Sequence, residues 1–167
     1  MAAGSTYTPI ATTTASGSSN SVTFSSIPST YTDLVIVFNG NSTTAGSSAN
    51  SLRVTCNGDT ATNYSYTYLA GAGTSAASGR ASNQTYWDAI DIAQASSTGM
   101  AILHFMNYAN TTTFKTMISR SSVASVETLT AVNLWRKTPE AITSITLDAN
   151  RTITSGSTFT LYGLAAA

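Results

Sequence analysis

Apolar and polar residues alternate with a period of two through most of the chain. That spacing is the signature of half-buried strands. It runs through residues 21–25 (Ser-Val-Thr-Phe-Ser), 52–56, 63–69, 84–92, 114–120, 127–135, 142–147 and 158–162. In the last two segments Thr143, Ile145 and Leu147 share one face, as do Phe159 and Leu161. In 84–92 the pattern places Tyr86, Asp88, Ile90 and Ile92 on one side, with Trp87 and Asp91 on the other. Two stretches break the alternation by being apolar throughout: Leu34 to Phe38, and Met100 to Met106. Both are too short for a typical helix and read as strands that want burial on two faces.

Punctuation between these segments fits the same reading. Asn57-Gly58-Asp59 is a strong turn signal, and residues 148–156 supply Asp, Asn, Ser and Gly, which turn readily and tolerate positive φ. Residues 39–51 and 70–82 are rich in Gly, Ala, Ser, Thr and Asn and read as long loops. No stretch carries helical amphipathicity. The expected fold is all-β: an antiparallel β-sandwich of about nine or ten strands over 21–167, as a single domain. Residues 1–20 are mostly Ala, Gly, Ser and Thr, and are expected to be an extended arm that orders on a neighbouring subunit through Tyr7, Pro9 and Ile10.

The two all-apolar strands point outward. A strand in a two-layer sandwich buries one face and wets the other, so a second apolar face implies a cover. A neighbouring copy would supply one, which predicts a homo-oligomer. Met100, Ile102, His104 and Met106 share one face of such a strand and are expected at that interface. Tyr64, Tyr66 and Tyr68 also share a face, and form either a contact platform for protein or sugar or the rim of an ordinary sheet.

Charge sharpens the picture. Only 8% of the 167 residues are charged, and 7 Lys plus Arg balance 7 Asp plus Glu. No clustered basic footprint exists for nucleic acid, and a neutral chain lacks the repulsion that keeps free monomers apart. Cys56 is the single cysteine, so no internal disulfide or cysteine-based zinc site is possible, and a small buried residue is expected there. The first residues show no secretory pattern and no apolar run spans a membrane, which leads to an expectation of synthesis in a cytoplasm.

Searching for chemistry returns little. His104 is the only histidine, so a multi-histidine metal site is excluded. Its apolar company predicts a hydrogen-bonded interior or interface residue, with a pH-sensitive contact as one consequence. No serine sits in a nucleophile elbow, and Asp88 and Asp91 fall on opposite sides of a strand. Gly-rich loops open no helix and so cradle no phosphate. Asn41, Asn63, Asn83, Asn110 and Asn150 begin Asn-x-Ser/Thr triplets, which are read as composition. No enzyme activity and no cofactor are expected.

Several segments resemble small structural proteins of tailed phages, of the type found in phages of cyanobacteria and other marine bacteria. The matching pieces are Tyr7-Thr-Pro-Ile10-Ala-Thr-Thr with Phe24-Ser-Ser-Ile27-Pro, and Leu52-Arg-Val-Thr-Cys-Asn57-Gly58-Asp59 with Asn63-Tyr-Ser-Tyr66. Met106-Asn-Tyr108-Ala-Asn110-Thr-Thr, Trp135-Arg, Ile142-Thr-Ser-Ile145-Thr-Leu and Gly156-Ser-Thr-Phe159-Thr-Leu-Tyr162-Gly163 continue them in order. The resemblance implies a virion component with a jelly-roll-like β fold, made in the host bacterial cytoplasm. It further implies a capsid decoration (cement) protein, trimeric and gripping the major capsid protein. The alternative is a tail or fibre module contacting host glycan through the tyrosines. No catalytic residues carry over.

Overall fold

The computed structural model describes residues 6–43, 50–88, 90–92, 97–124 and 126–165. Residues 1–5 of the expected arm and 44–49 of the expected loop therefore lie outside the described residues. Strands follow one another as β1 (Tyr7–Thr14), β2 (Ser21–Phe24), β3 (Asp33–Gly40), β4 (Asn50–Ser51), β5 (Arg53–Cys56), β6 (Tyr64–Ala72) and β7 (Ser75–Gln84). Then come β8 (Asp91–Ile92), β9 (Gly99–Met106), β10 (Lys115–Val123), β11 (Glu127–Trp135), β12 (Ile145–Asp148) and β13 (Thr158–Leu164). Every ladder is antiparallel.

The layers are unequal. Eight strands form one sheet in the order β1-β13-β3-β9-β10-β11-β6-β7, while β2-β12-β5 form the other and β4 pairs with β8. The period of two decides which side chains meet between them. Leu34, Ile36 and Phe38 of β3, Ala101, Leu103 and Phe105 of β9, and Phe159 and Leu161 of β13 point inward. Val22 and Phe24, Val54 and Cys56, and Ile145 and Leu147 of the small sheet meet them in one continuous core. Phe38 and Phe159, paired across β3 and β13, have ring centroids 4.8 Å apart. The inward assignments of Phe159, Leu161, Ile145 and Leu147 agree with their periodicity; Thr143 instead lies exposed ahead of β12.

One corner of the core is polar. Asp59, just past the Asn57–Gly58 turn, accepts hydrogen bonds from Trp135 Nε1 (2.6 Å), Asn63 Nδ2 (2.9 Å) and the Ala61 amide (3.0 Å). Tyr64 donates its hydroxyl hydrogen to the Asp59 carbonyl at 3.1 Å. Asn57 and Gly58 both have positive φ (52° and 65°), as the turn signal requires. The Asn57 side chain accepts from the amides of Thr143 and Ser144 and donates to Glu140 and the Ala141 carbonyl. The turn is thereby sewn to the segment entering β12.

Three expectations are corrected. The segment read as an arm forms β1, which hydrogen-bonds to β13 of its own chain from Tyr7–Leu164 to Thr14–Thr158. Its Ser/Thr composition gives no burial signal, but an edge strand needs only backbone partners. The segment 70–82 is no loop: β6 and β7 form a hairpin turning at Gly73 (φ 57°). The side chains of β7 are too small to show a period, and Tyr68 supplies the packing. A Cβ on Gly79 would sit 2.7 Å from the Tyr68 ring, so the ring lies across bare backbone. Finally, 84–92 is not one alternating strand. Trp87 bridges to Val54 and only Asp91–Ile92 pair as β8, so Trp87, Ile90 and Ile92 are all buried rather than divided between faces.

The Asp59 corner yields a test. Burial works against its charge, but hydrogen bonds from Asn63, Trp135 and the Ala61 amide outweigh it and hold the carboxyl below its ordinary range. Its stabilisation is therefore present above the unfolded carboxylate range and lost as pH falls through the folded value. Asp59→Ala strands the Trp135 N–H, and urea unfolding at pH 7 should show a loss of about 2–4 kcal/mol. A loss under about 0.5 kcal/mol, the scale of an ordinary surface substitution, would mean the corner is not a structural hub.

Candidate functional site

The open side of the eight-stranded sheet carries the four β9 residues expected at an interface. On β9 the inward residues leave Met100, Ile102, His104 and Met106 on the outer face, as their spacing requires. Met100 is 51% exposed and Ile102 36%. Cross-strand registers extend this face sideways: His104 lies beside Val35 and Ile118, Ile118 beside Val132, and Val132 beside Thr67. In the next row Ile102 faces Val37 and Arg120, and Thr130 faces Leu69. Leu69 (61% exposed) and Val132 (54%) belong to the same surface but share their strand faces with Ser65 and Thr67, and with Thr128 and Thr130, which hid them. Of the six large apolar side chains exposed among the described residues, Leu69, Met100, Ile102 and Val132 share this face, and Tyr7 adjoins it edge-on to Tyr162. Phe114, the sixth, precedes β10.

Two polar features flank that surface. At one end His104 Nε2 and Asp33 Oδ2 lie 2.9 Å apart, and Asp33 Oδ1 also accepts the Asn107 amide at 2.7 Å. At the other end a cleft of about 360 Å³ opens on the outer face, with Ser65, Thr67, Val132 and Leu134 beneath Arg80 and Arg136. A β-bulge builds it: the β6–β7 register shifts between Tyr64 and Tyr66, opposite Asn83 at φ 55°. Asn83 Oδ1 accepts from Arg136 Nη2 at 3.0 Å, while the buried Arg136 Nε has no hydrogen-bond partner.

The tyrosines lie on the opposite, inner face. Tyr64 is fully buried, stacked on Trp135 and edge-on to Trp87, with its hydroxyl accepting the Cys56 amide. It therefore belongs to the core. Tyr66 and Tyr68 are half-buried on Leu129 and Ala131, beyond the reach of the small sheet, with ring centroids 6.5 Å apart. Arg53 stacks on Tyr86 at 4.4 Å nearby. Pro9 is exposed on β1, and Ile10 packs against the main core. The three residues expected as arm anchors are thus held by their own chain.

One constellation escaped the sequence. Asp91 of β8 meets Glu127 of β11, between strands separated by some 36 positions along the chain. Burial first, then the hydrogen bond and charge of Glu127, then the charge of Asp88, push the Asp91 carboxyl up to about 7. The Ser51 hydroxyl donates to Asp91 at 3.4 Å, and Ser121 Oγ accepts its amide at 3.2 Å. Asp88 does not join a pair with Asp91; its own Oδ1 is buried without a hydrogen bond. Cys56 is fully buried, and burial pushes its thiol far above the ordinary range, so it offers no thiolate. Among the described residues no group of His, Cys, Asp and Glu is arranged to hold a metal ion. No helix there is long and apolar enough to cross a membrane.

No protein-family model matches the chain, and no curated protein matches it. Among solved structures, the CBM2 module of the evolved Dit of Lactobacillus casei BL23 phage J-1 aligns with 88% of this chain and 69% of its own. That alignment has 8% identity and a TM-score of 0.28, too low to bear on function.

The Asp91–Glu127 pair gives a pH signature. A folded carboxyl raised above its unfolded value of about 4 stabilises fully below that value and loses its contribution as pH rises through about 7. The thermal midpoint should therefore fall between pH 5 and pH 8. Asp91→Asn should flatten that slope and raise the midpoint at pH 8. An unchanged slope in the variant would remove the pair as its source.

Proposed function

We propose that this protein is a non-enzymatic structural component of a tailed-phage virion, a capsid decoration protein that works by assembly through the open face of its large sheet. The observation behind this reading is the grouping of Leu69, Met100, Ile102 and Val132 on that face. Apolar side chains scattered singly over a surface need no explanation, whereas a contiguous patch does. The resemblance of the chain to phage structural proteins supplies the setting, and a neutral, charge-poor composition suits a protein that works packed against others. With few charges available, attachment rests on apolar contact and shape, so it should depend weakly on salt.

A second reading has its own observation. Tyr66 and Tyr68 remain half-open at the end of the inner face that the small sheet leaves uncovered. Aromatic faces beside polar groups suit sugar rings, so a tail or fibre module contacting host glycan is the alternative.

Copy number in purified particles separates the two. Abundance comparable to the major capsid protein is expected; a few to a few tens of copies per particle would replace decoration with a tail or fibre role. Val132→Glu, a change at an exposed strand position, should abolish incorporation without unfolding the chain. Normal incorporation of that variant would remove the open face as the assembly surface. Saturable binding to one sugar on a glycan array, lost in Tyr68→Ala, would establish the second reading.

A further inference from the structure

Charge of opposite sign flanks the part of the open face that runs from β3 to β7, with β13 and β1 extending the sheet beyond β3. Asp33 stands at the β3 end; Arg80 and Arg136 stand at the β7 end with no carboxylate within ion-pair distance among the described residues. Leu34 pairs with Phe105, so Asp33 falls one step further along, in the row of Met106, Thr116, Leu134 and Ser65. Leu134 and Ser65 line the arginine cleft. The acid and the floor of the cleft thus share one cross-strand level, with Arg80 one row to one side of it beside Thr67 and Arg136 two residues past Leu134 on the other. Arg80 lies about five strand spacings from Asp33, or about 24 Å, while Arg136 follows β11 and reaches β7 through Asn83.

We propose that the occupant of this face is a second copy of the same chain, packed sheet on sheet about a two-fold axis that runs parallel to the strands, midway between β10 and β11. Such an axis exchanges β3 with β7 and keeps each level fixed. It sets Asp33 of each copy over the Arg80–Arg136 cleft of the other, twice, and stacks the apolar rows between them. This inference rests on the open face being the assembly surface and adds the partner and the register.

Three features favour a copy of the chain over an unrelated partner. The charges are self-complementary under one simple rotation, as an isologous interface requires. Asp33 can take a further donor, because a carboxylate offers about four lone-pair sites and only His104 and the Asn107 amide are seen to use it. Arg80 is exposed and has no carboxylate within ion-pair distance among the described residues. The area also suffices. Five strands spaced about 4.8 Å, each eight residues long at about 3.4 Å per residue, present about 650 Å² per copy. Two such faces bury about 1,300 Å², within the range of specific interfaces. Aligned packing of twisted sheets is a standard geometry at about 10 Å separation. The resulting pair is a two-fold dimer, in place of the trimer that the family resemblance implies.

Cross-linking of the full chain reads the register directly. Chains carrying Asp33→Cys and chains carrying Arg80→Cys are mixed and treated with a short bis-maleimide, Cys56 being buried and unreactive. The expected product is the mixed Asp33→Cys/Arg80→Cys pair, at least tenfold over either like pair. Like pairs in equal or greater yield, or no pairs at all, overturn the proposed register. Sedimentation of Val132→Glu is the companion measurement, with at least a tenfold rise in the dimer dissociation constant expected. Loss of association in that variant without mixed cross-linking defeats only the two-fold arrangement. Undiminished association in Val132→Glu defeats the open face itself.

Discussion

Three strands cannot cover eight. That mismatch between the layers governs the surface chemistry of this fold. The small sheet of β2, β12 and β5 shields the inner side of β13, β3 and β9 and the near ends of the strands beyond them. Past that cover, the inner side relies on local devices: Tyr66 and Tyr68 lying over Leu129 and Ala131, and a bare glycine under Tyr68. Among the described residues the outer side has no second layer. Its residues face water, and Thr is mixed there with Val, Ile and Leu, which suit a pleated surface.

Closure of the sandwich falls to the last quarter of the chain. β12 occupies the centre of the small sheet, between β2 and β5, and β13 enters the large sheet between β1 and β3. One short segment therefore completes both layers, and the loop between them carries Ala149 and Ile153 into the core. Without β13 the first strand loses its only ladder and β3 becomes an edge; without β12 the small sheet has no middle. Pairing of β1 with β13 joins residues near opposite ends of the chain, so the fold is complete only when both ends are present.

Legibility in the sequence followed side-chain size. Where large apolar residues alternate, as in Phe159 and Leu161 or along Met100 to Met106, the face assignments read from spacing are those of the structure. The turn at Asn57–Gly58 was equally readable, because positive φ at two successive positions selects Asn and Gly. Strand β7 was not readable: Ser, Ala and Gly carry no period, and what makes it a strand is the ladder with β6 and a tyrosine contributed from there. The site was half readable for a similar reason. The β9 stripe was apparent from one segment, whereas the arginine cleft and the Asp91–Glu127 pair join distant segments through register alone, and a bulge re-aims Asn83 toward Arg136.

Scarcity of charge gives the remaining charges their weight. An apolar sheet face attracts without choosing a register, since sliding by two residues exposes an equivalent surface. Charged groups at its margins do choose, because a misplaced pair leaves a cation or a carboxylate desolvated and unpaired. The part of the open side from β3 to β7 has few such groups among the described residues, and most of them flank it: Asp33 with His104 toward β3, Arg80 and Arg136 toward β7, and Arg120 between. Apolar contact in the centre would then supply the affinity of any assembly, and the flanks its alignment. Under the proposed pairing, that division of labour would let a chain with 8% charged residues and no net charge specify one arrangement rather than aggregate at random.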